Sequence, residues 1–209
     1  MTTFPHFGTN AVHVGQEPEQ WEMNQVVPPL SVSSTYKQHA PGQPKVHGYS
    51  RMGNPTRDVM QANLAALENA KYCLTFASGQ GAMSAVMSLV KSGDHIIASS
   101  DVFGGTQSLL REVAVKCNGV EATFADFMVP GDLEKAFRPN TKMVWFESPS
   151  NPLLRVIDIR EVVGVVRARN PDVVIVVDNT FMTPYFQRPL SLGVDVVVHS
   201  LSKYINGHS

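Results

Sequence analysis

The chain has 209 residues, of which 43% are hydrophobic and 17% are charged, and its formal net charge is −1 at pH 7. This length and composition are those of an ordinary globular chain that can bury a sizeable core. The balanced charge gives no reason to expect nucleic acid or an anionic membrane as a partner.

The composition also argues against several kinds of site. The 2 cysteines form no CxxC pair, and the 7 histidines show no metal-ligand spacing, so we predict no metal site. The N-terminal residues lack the pattern of a secretion signal, and no apolar run reaches the length of a membrane span. A cytoplasmic location is therefore expected.

The first part of the chain lacks a sustained hydrophobic period. Residues 1–50 are rich in Pro, Gly, Gln and His and are predicted to form an extended arm. Asn54-Pro55 then has the form of a helix start, with Asn as the cap and Pro in the first turn. Apolar residues follow at helical spacing as far as Leu67, which predicts a helix.

From residue 72 onward, apolar runs of strand length alternate with helical patterns. The predicted strands cover residues 72–77, 95–99, 122–125, 143–147, 173–177 and 194–199, and the predicted helices cover residues 81–91, 107–116, 132–137 and 159–168. Continuous apolar strands that alternate with helices are typical of a mainly parallel sheet with helices on both faces. The sequence therefore predicts an α/β fold, in which ligands bind beyond the carboxyl ends of the strands.

Chemically useful residues follow three of these strands. Gly79-Gln80-Gly81 stands at a helix start, where backbone N–H groups suit a phosphate. Asp178 ends the fifth strand, and Ser200-Leu201-Ser202-Lys203 follows the sixth. An amine for an aldehyde, a carboxylate for a pyridine nitrogen and a seat for a phosphate are what pyridoxal phosphate requires. The pattern predicts a site for this cofactor.

A dinucleotide site is an alternative interpretation of the same glycines. Gly79-Gln80-Gly81 resembles the start of a GxGxxG motif, and Asp101 lies twenty residues further on, where a ribose-binding acid is expected. However, Ser84 occupies the position of the third glycine, and this interpretation gives Lys203 no role. It is therefore ranked last.

Longer blocks of sequence resemble the Cys/Met-metabolism family of pyridoxal-phosphate enzymes, and within it the cystathionine γ-lyases. The blocks are Tyr49-Ser50-Arg51-x-Gly53-Asn54-Pro55-Thr56, Ala77-Ser78-Gly79, Gly104-Gly105-Thr106, Glu147-Ser148-Pro149-Ser150-Asn151-Pro152, Val177-Asp178-Asn179-Thr180 and Ser200-Leu201-Ser202-Lys203-Tyr204-Ile205-Asn206-Gly207-His208. The resemblance covers essentially the whole chain and matches an N-terminal half of the family's proteins. It implies a truncated large domain of fold type I over residues 51–209, with residues 1–50 as an intersubunit arm and the C-terminal domain absent.

The resemblance also implies a role for each site residue. Lys203 would hold the cofactor as a Schiff base and then move protons, while Asp178 would pair with the pyridinium nitrogen. Asn151 would lie near the ring hydroxyl, and Phe103 would stack on the ring. The phosphate would be held by Gly79, Gln80, Ser200 and Ser202, joined by Tyr49 and Arg51 from a neighbouring subunit.

The implied reaction is α,γ-elimination of L-cystathionine to cysteine, 2-oxobutanoate and ammonia, in a homotetramer built from active-site dimers. Three positions depart from the family's pattern. Phe103 stands where a tyrosine is usual, Ser108 replaces an arginine and Gly48 replaces an acid. Two alternatives stay open: a non-catalytic relative, or a sister enzyme such as cystathionine β-lyase, methionine γ-lyase or cystathionine γ-synthase. The chain alone, which ends six residues after Lys203, is expected to be a poor catalyst.

Overall fold

The computed structural model describes residues 4–208 and divides the chain into two compact units, Met1–Thr75 and Phe76–Ser209. Each unit is described by itself. The first contains helix α1 (Phe7–His13), a 3₁₀ turn (Pro18–Gln20), a small antiparallel hairpin of β1 (Gln38–Ala40) and β2 (Gln43–Pro44), and helix α2 (Pro55–Glu68). The division after Thr75 does not test the predicted boundary at residue 50, which stays a prediction.

Helix α2 begins as predicted, because the Asn54 side chain accepts hydrogen bonds from the N–H groups of Thr56 and Arg57. The short helix α1 lies within the predicted extended arm and was not foreseen. It is held against α2 by Asn63, whose side chain donates to three carbonyl oxygens near the end of α1. This contact joins residues about 50 positions apart, so no local pattern reveals it.

The second unit contains the sheet. Its strands are β3 (His95–Ser99), β4 (Glu121–Ala125), β5 (Thr141–Glu147), β6 (Val174–Asp178) and β7 (Val196–Val198). Its helical segments are α3 (Gly79–Met87), α4 (Gly104–Ser108), a π-helical stretch (Leu109–Val115), α5 (Asp132–Ala136), α6 (Ile159–Arg169), α7 (Thr183–Phe186) and a 3₁₀ turn (Pro189–Leu192).

The five strands lie in the order β4-β3-β5-β6-β7, and every neighbouring pair is parallel. The strand order reverses between β3 and β5, since the chain adds β4 on one side and β6 and β7 on the other. Crevices for ligands form at such a reversal, beyond the carboxyl ends of the strands. The predicted α/β class, with a mainly parallel sheet, is confirmed.

Side chains that alternate along the strands build two apolar layers. On one face, Val144, Phe146 and Ile175 pack with residues of α5 and α6. On the other face, Trp145 and Val176 pack with residues of α3 and of the π-helical stretch. Helices therefore cover both faces of the sheet, as the continuous apolar runs predicted.

Two predicted elements are wrong. Residues 72–77 form no strand: no segment among residues 4–208 pairs with them, and the N–H of Thr75 bonds to the side chain of Gln61 instead. Tyr72 and Leu74 are consequently exposed. The single helix predicted for residues 107–116 is instead α4 followed by the π-helical stretch. Strand pairing and the change of helical pitch both depend on contacts that a local pattern does not contain.

Two kinds of feature are absent from the described residues. No helix within residues 4–208 has the length and apolar character needed to cross a bilayer. Over the same range, no group of three or more His, Cys, Asp or Glu residues has the arrangement of a metal site. The cytoplasmic location stays a prediction.

Candidate active site

A cleft in the second unit lies where β5, β6 and β7 end and α3 begins. Eight of the ten residues predicted for the cofactor site line this cleft: Gly79, Gln80, Phe103, Asn151, Asp178, Ser200, Ser202 and Lys203. Its volume is about 240 Å³. A water molecule occupies roughly 30 Å³, so the cleft has room for a small organic ligand.

Asp178 ends β6 and supplies a buried carboxyl group to the cleft. Its Oδ1 accepts a hydrogen bond from the N–H of Thr180 at 2.9 Å, and the Thr180 hydroxyl also bonds to this carboxyl. Burial raises the pKa of Asp178, while these hydrogen bonds and the positive charges of His199 and Lys203 oppose the rise. The cleft thus holds a carboxyl group that a cationic partner would stabilise as a carboxylate.

Lys203 lies in the turns that follow β7, and its side chain is exposed. Its Nζ donates to the Oγ of Ser200 over 3.4 Å. The N–H of Ser200 in turn donates to the Thr180 Oγ1 at 2.8 Å. Thr180 therefore fixes the segment that carries the lysine beside the strand that carries Asp178.

The N-terminus of α3 faces the same segment. Ser78 caps this helix by accepting a hydrogen bond from the N–H of Gly81, and the first N–H groups of any helix lack partners within the helix. A Cβ atom added to Gly79 would lie 3.2 Å from the Cβ of Ser200. Glycine at position 79 thus lets the helix approach the Ser200 hydroxyl closely, which forms a seat for an anion.

Phe103 forms an outer wall of the cleft and is 41% exposed. Its N–H donates to the Oε1 of Glu147 at 2.8 Å, so the backbone at this position is anchored to the end of β5. Its ring lies over Gly105, where a Cβ atom would come within 2.4 Å of the ring. Glycine at position 105 is therefore necessary for this ring position.

Sequence reasoning missed three polar residues of the cleft: Ser78, Glu147 and Thr180. The rule that draws attention to polar residues at carboxyl ends of strands could have found Glu147, which ends β5. Thr180 follows Asp178 by two residues, but its link to Ser200 depends on the pairing of β6 with β7. Ser78 could have been predicted as a helix cap, because serine precedes the helix start.

Tyr49 and Arg51 belong to the first unit, so their predicted role stays a prediction. There the Arg51 guanidinium lies 4.4 Å from the centroid of the Tyr49 ring. The structure also describes two of the positions that depart from the family's pattern. Gly48 lines a shallow depression in the first unit, and Ser108 is exposed at the end of α4.

A doubly wound sheet with an amine, a carboxyl group and an anion seat in one cleft defines an enzyme of the aldehyde-cofactor class. The sequence profile of the Cys/Met metabolism PLP-dependent enzyme family matches residues 8–209. The chain therefore belongs to this family, whose cofactor is pyridoxal phosphate, as predicted.

Individual proteins of this family are similar in sequence to the chain. A Caenorhabditis elegans protein provisionally named cystathionine gamma-lyase 2 is 67% identical over 209 residues, which are 100% of this chain and 53% of that protein. The cystathionine gamma-lyase of Homo sapiens is 52% identical over 206 residues, which are 99% of this chain and 50% of the human protein. The chain thus spans about half the length of these relatives, and it matches their N-terminal half as predicted.

Solved structures share the fold. A crystal structure of metB from Corynebacterium glutamicum superposes with a TM-score of 0.92 at 40% identity, covering 97% of this chain and 52% of the other. The cystathionine gamma-lyase from Lactobacillus plantarum, solved with L-serine, gives a TM-score of 0.87 at 40% identity, covering 94% of this chain and 50% of the other. This chain therefore has the fold of the corresponding half of these proteins.

The cleft fits the family's cofactor. An aldehyde, a pyridine nitrogen and a phosphate match the Lys203 amine, the Asp178 carboxyl and the seat formed by α3 and Ser200. The absence of a side chain at position 79 keeps this seat open, because a Cβ atom there would press on Ser200. The donor set and the shape of the cleft thus agree.

Proposed function

We propose that this chain forms the cofactor-binding part of a pyridoxal-phosphate-dependent carbon–sulfur lyase that acts on L-cystathionine. The reaction is an α,γ-elimination, in which cystathionine and water yield cysteine, 2-oxobutanoate and ammonia. The observation that carries the proposal is the convergence of Lys203, Asp178 and Ser200 in one cleft. The substrate is proposed because relatives at 52% identity and above are named as cystathionine gamma-lyases.

The proposed roles of the residues follow from their chemistry. Lys203 would hold the cofactor through its amine, and its Nζ would take the proton from Cα of the substrate. Asp178 would keep the pyridine nitrogen protonated through its negative charge. When bound, pyridoxal phosphate supplies an electron sink for the carbanion that this proton transfer creates.

The remaining residues of the proposal bind and orient. The N–H groups of Gly79 and Gln80 and the hydroxyls of Ser200 and Ser202 would hold the phosphate. Asn151 would bond to the ring hydroxyl, and the Phe103 ring would pack against the face of the pyridine. We further propose that Tyr49 and Arg51 reach the phosphate of a neighbouring subunit, in a homotetramer of active-site dimers.

An assay on the natural-length protein, meaning the complete product of the gene that encodes this sequence, tests the function. With L-cystathionine and pyridoxal phosphate, the protein should form 2-oxobutanoate. Lys203→Ala should lower the rate by at least about 100-fold, since the variant loses its acid–base group. Lys142→Ala, which changes an exposed lysine of β5, is the matched control. A protein that binds the cofactor and leaves cystathionine intact would contradict the proposed substrate.

The site of attachment has its own prediction. Borohydride reduction of the loaded protein, followed by peptide mapping, should place the pyridoxyl label on Lys203. The Ser-x-Ser-Lys run after β7 and the position of the lysine in the cleft both support this expectation. A label on Lys37, Lys71 or Lys116 would overturn the assignment.

A sister enzyme is the second candidate. The methionine gamma lyase from Micromonospora echinospora superposes with a TM-score of 0.85 at 39% identity, close to the values for a cystathionine gamma-lyase. The same assay with L-methionine separates the two, because a methionine γ-lyase releases methanethiol. A higher kcat/KM for methionine than for cystathionine would favour this second candidate.

A further inference from the structure

Two carboxyl groups stand side by side in the cleft. Glu147 ends β5 and Asp178 ends β6, and the two residues are paired directly across the parallel strands. Side chains of such partners point to the same face of a sheet. Glu147 is 4% exposed and Asp178 is 8% exposed, so water screens neither group. The roles proposed above use Asp178 and leave Glu147 without a function.

Glu147 joins two walls of the cleft. Its Oε1 accepts the N–H of Phe103, which follows β3, at 2.8 Å. Its carboxyl group also accepts the N–H of Asn151, which follows β5. A single buried side chain thus holds the backbone N–H groups of both residues that are proposed to contact the ring of the cofactor.

The charges around this pair favour a state in which one of the two carboxyl groups is protonated and the other is ionised. Burial, followed by the nearby charges of Asp178 and Asp101, raises the pKa of Glu147 to about 8, against the effect of its two N–H donors. Burial raises the pKa of Asp178 as well, but the Thr180 bonds and the positive charges of His199 and Lys203 oppose this rise. Because the positive charges face Asp178, the negative charge belongs on Asp178 and the proton on Glu147.

We propose that Glu147 is a positioning residue that acts as a neutral carboxylic acid. It holds the backbone of Phe103 and Asn151 in place and leaves Asp178 as the charged carboxylate among the described residues that line the cleft. The positioning of residues that contact the cofactor rests on the proposed function, whereas the protonation state of Glu147 is independent of it.

The protonation state of Glu147 is tested on the natural-length protein without cofactor. Glu147→Gln keeps the size and an acceptor oxygen of the neutral acid but cannot ionise. A group whose pKa is higher in the folded state contributes stability below its unfolded pKa, and this contribution is lost as the pH rises to the folded value. From about pH 4.5 to pH 8, the folded-to-unfolded ratio of the wild type, relative to Glu147→Gln, should therefore fall by up to roughly tenfold per pH unit.

Urea unfolding at pH 5, 6, 7, 8 and 9 measures this ratio, and Glu134→Gln, at a partly exposed position of α5, is the matched control. Parallel pH curves for the wild type and Glu147→Gln would overturn the proposed protonation state. A ratio that rises with pH would overturn it as well, because it would place the charge on Glu147.

The positioning role is tested by cofactor affinity, measured by titrating the unloaded protein with pyridoxal phosphate. Glu147→Leu is similar in size but accepts no hydrogen bond from Phe103 or Asn151. We expect it to weaken binding at least about tenfold more than Glu147→Gln does, because two backbone N–H groups lose their buried acceptor. Equal losses in the two variants would overturn the role.

The two proposals fail in different ways. A wild type that binds the cofactor but does not cleave cystathionine contradicts the proposed function and leaves the comparison of the Gln and Leu variants valid. A wild type that binds no cofactor contradicts the proposed function and the positioning role together. The pH curves of the unloaded protein then still decide the protonation state.

Discussion

At the scale of single residues, Thr180 shows how the cleft is assembled. Its hydroxyl bonds to the Asp178 carboxyl and accepts the N–H of Ser200. The acid at the end of β6 and the segment that carries Lys203 are thereby held in one arrangement. This rigidity matters because proton transfer requires the donor and acceptor groups to be within hydrogen-bond reach.

Asp178→Asn should damage the reaction more than the fold. Asparagine is nearly isosteric and still accepts from Thr180, but it carries no charge to keep a pyridine nitrogen protonated. In the natural-length protein, we expect kcat to fall by at least about 100-fold, while the melting temperature stays close to that of the wild type. Steady-state kinetics, the content of bound cofactor and thermal unfolding check this. An unchanged kcat would mean that Asp178 only forms the turn with Thr180.

Phe103→Tyr should raise the lyase activity of the natural-length protein. Phenylalanine packs on a ring but offers no group that can donate or accept a proton. The ring is 41% exposed, so a hydroxyl added at its tip need not be buried. The rate of 2-oxobutanoate formation is the measurement, and Phe181→Tyr, at another phenylalanine that lines the cleft, is the control. No gain would favour a non-catalytic relative or a different catalytic route.

At the scale of elements, Arg167 connects the end of α6 with the starts of β6 and β7. Its guanidinium donates to the carbonyl oxygens of Pro171 and Val173 and to both carboxylate oxygens of Asp195. Asp195 also accepts the N–H of Ile175, at 2.7 Å. The ion pair of Arg167 and Asp195 thus aligns a helix with the amino ends of two strands, opposite the cleft.

Arg167→Met should destabilise this arrangement without touching the cleft. Hydrogen bonds to charged groups are worth about 1.5–3 kcal/mol each, and the partial exposure of the pair reduces this value. We expect the free energy of unfolding to fall by about 1–2 kcal/mol, as measured by urea unfolding. Arg169→Met, two residues further along α6 at an exposed position, should change it by less than about 0.5 kcal/mol. Equal effects of the two variants would contradict this role of Arg167.

The sequence predicted the elements whose signal is local. The apolar runs that became β3, β5 and β6 are buried strands, and the rule for carboxyl ends of strands located Asp178 and Lys203. What could not be predicted depends on partners far away in the chain. The unpaired state of residues 72–77 and the burial of Glu147 beside Asp178 both follow from which strands are neighbours, and a local pattern does not contain that information.

At the scale of the whole molecule, the end of the sheet opposite the cleft holds a further buried ionisable group. His95 begins β3 and is fully buried, with its Nδ1 2.8 Å from the Thr141 Oγ1 and its Nε2 2.9 Å from the Thr123 Oγ1. Burial, reinforced by the positive charge of Arg138, lowers the pKa of His95. The folded protein thus favours the neutral imidazole at this position.

Acidification should therefore weaken the fold through His95. Below the ordinary histidine pKa of about 6.5, the unfolded chain takes up a proton that the folded chain excludes, so stability falls as the pH falls. Relative to His95→Gln, the wild type should lose up to about 1.4 kcal/mol per pH unit between pH 6.5 and the lowered folded value. Urea unfolding from pH 7 to pH 5 measures the difference, with His39→Gln at an exposed position as the control. A pH-independent difference would contradict the buried neutral imidazole.

The paired acids at the ends of β5 and β6 also bear on how the sheet reaches its correct alignment. A parallel sheet of apolar strands has few features that distinguish one register from the next. Moving β6 by one residue would turn Asp178 to the opposite face, into the layer that contains Phe146 and Ile175. A carboxyl group buried there without partners costs several kcal/mol. The paired acids therefore also favour the native register, because a shifted β6 would bury the Asp178 carboxyl group without the Thr180 hydrogen bonds and the Lys203 charge that stabilise it in the cleft.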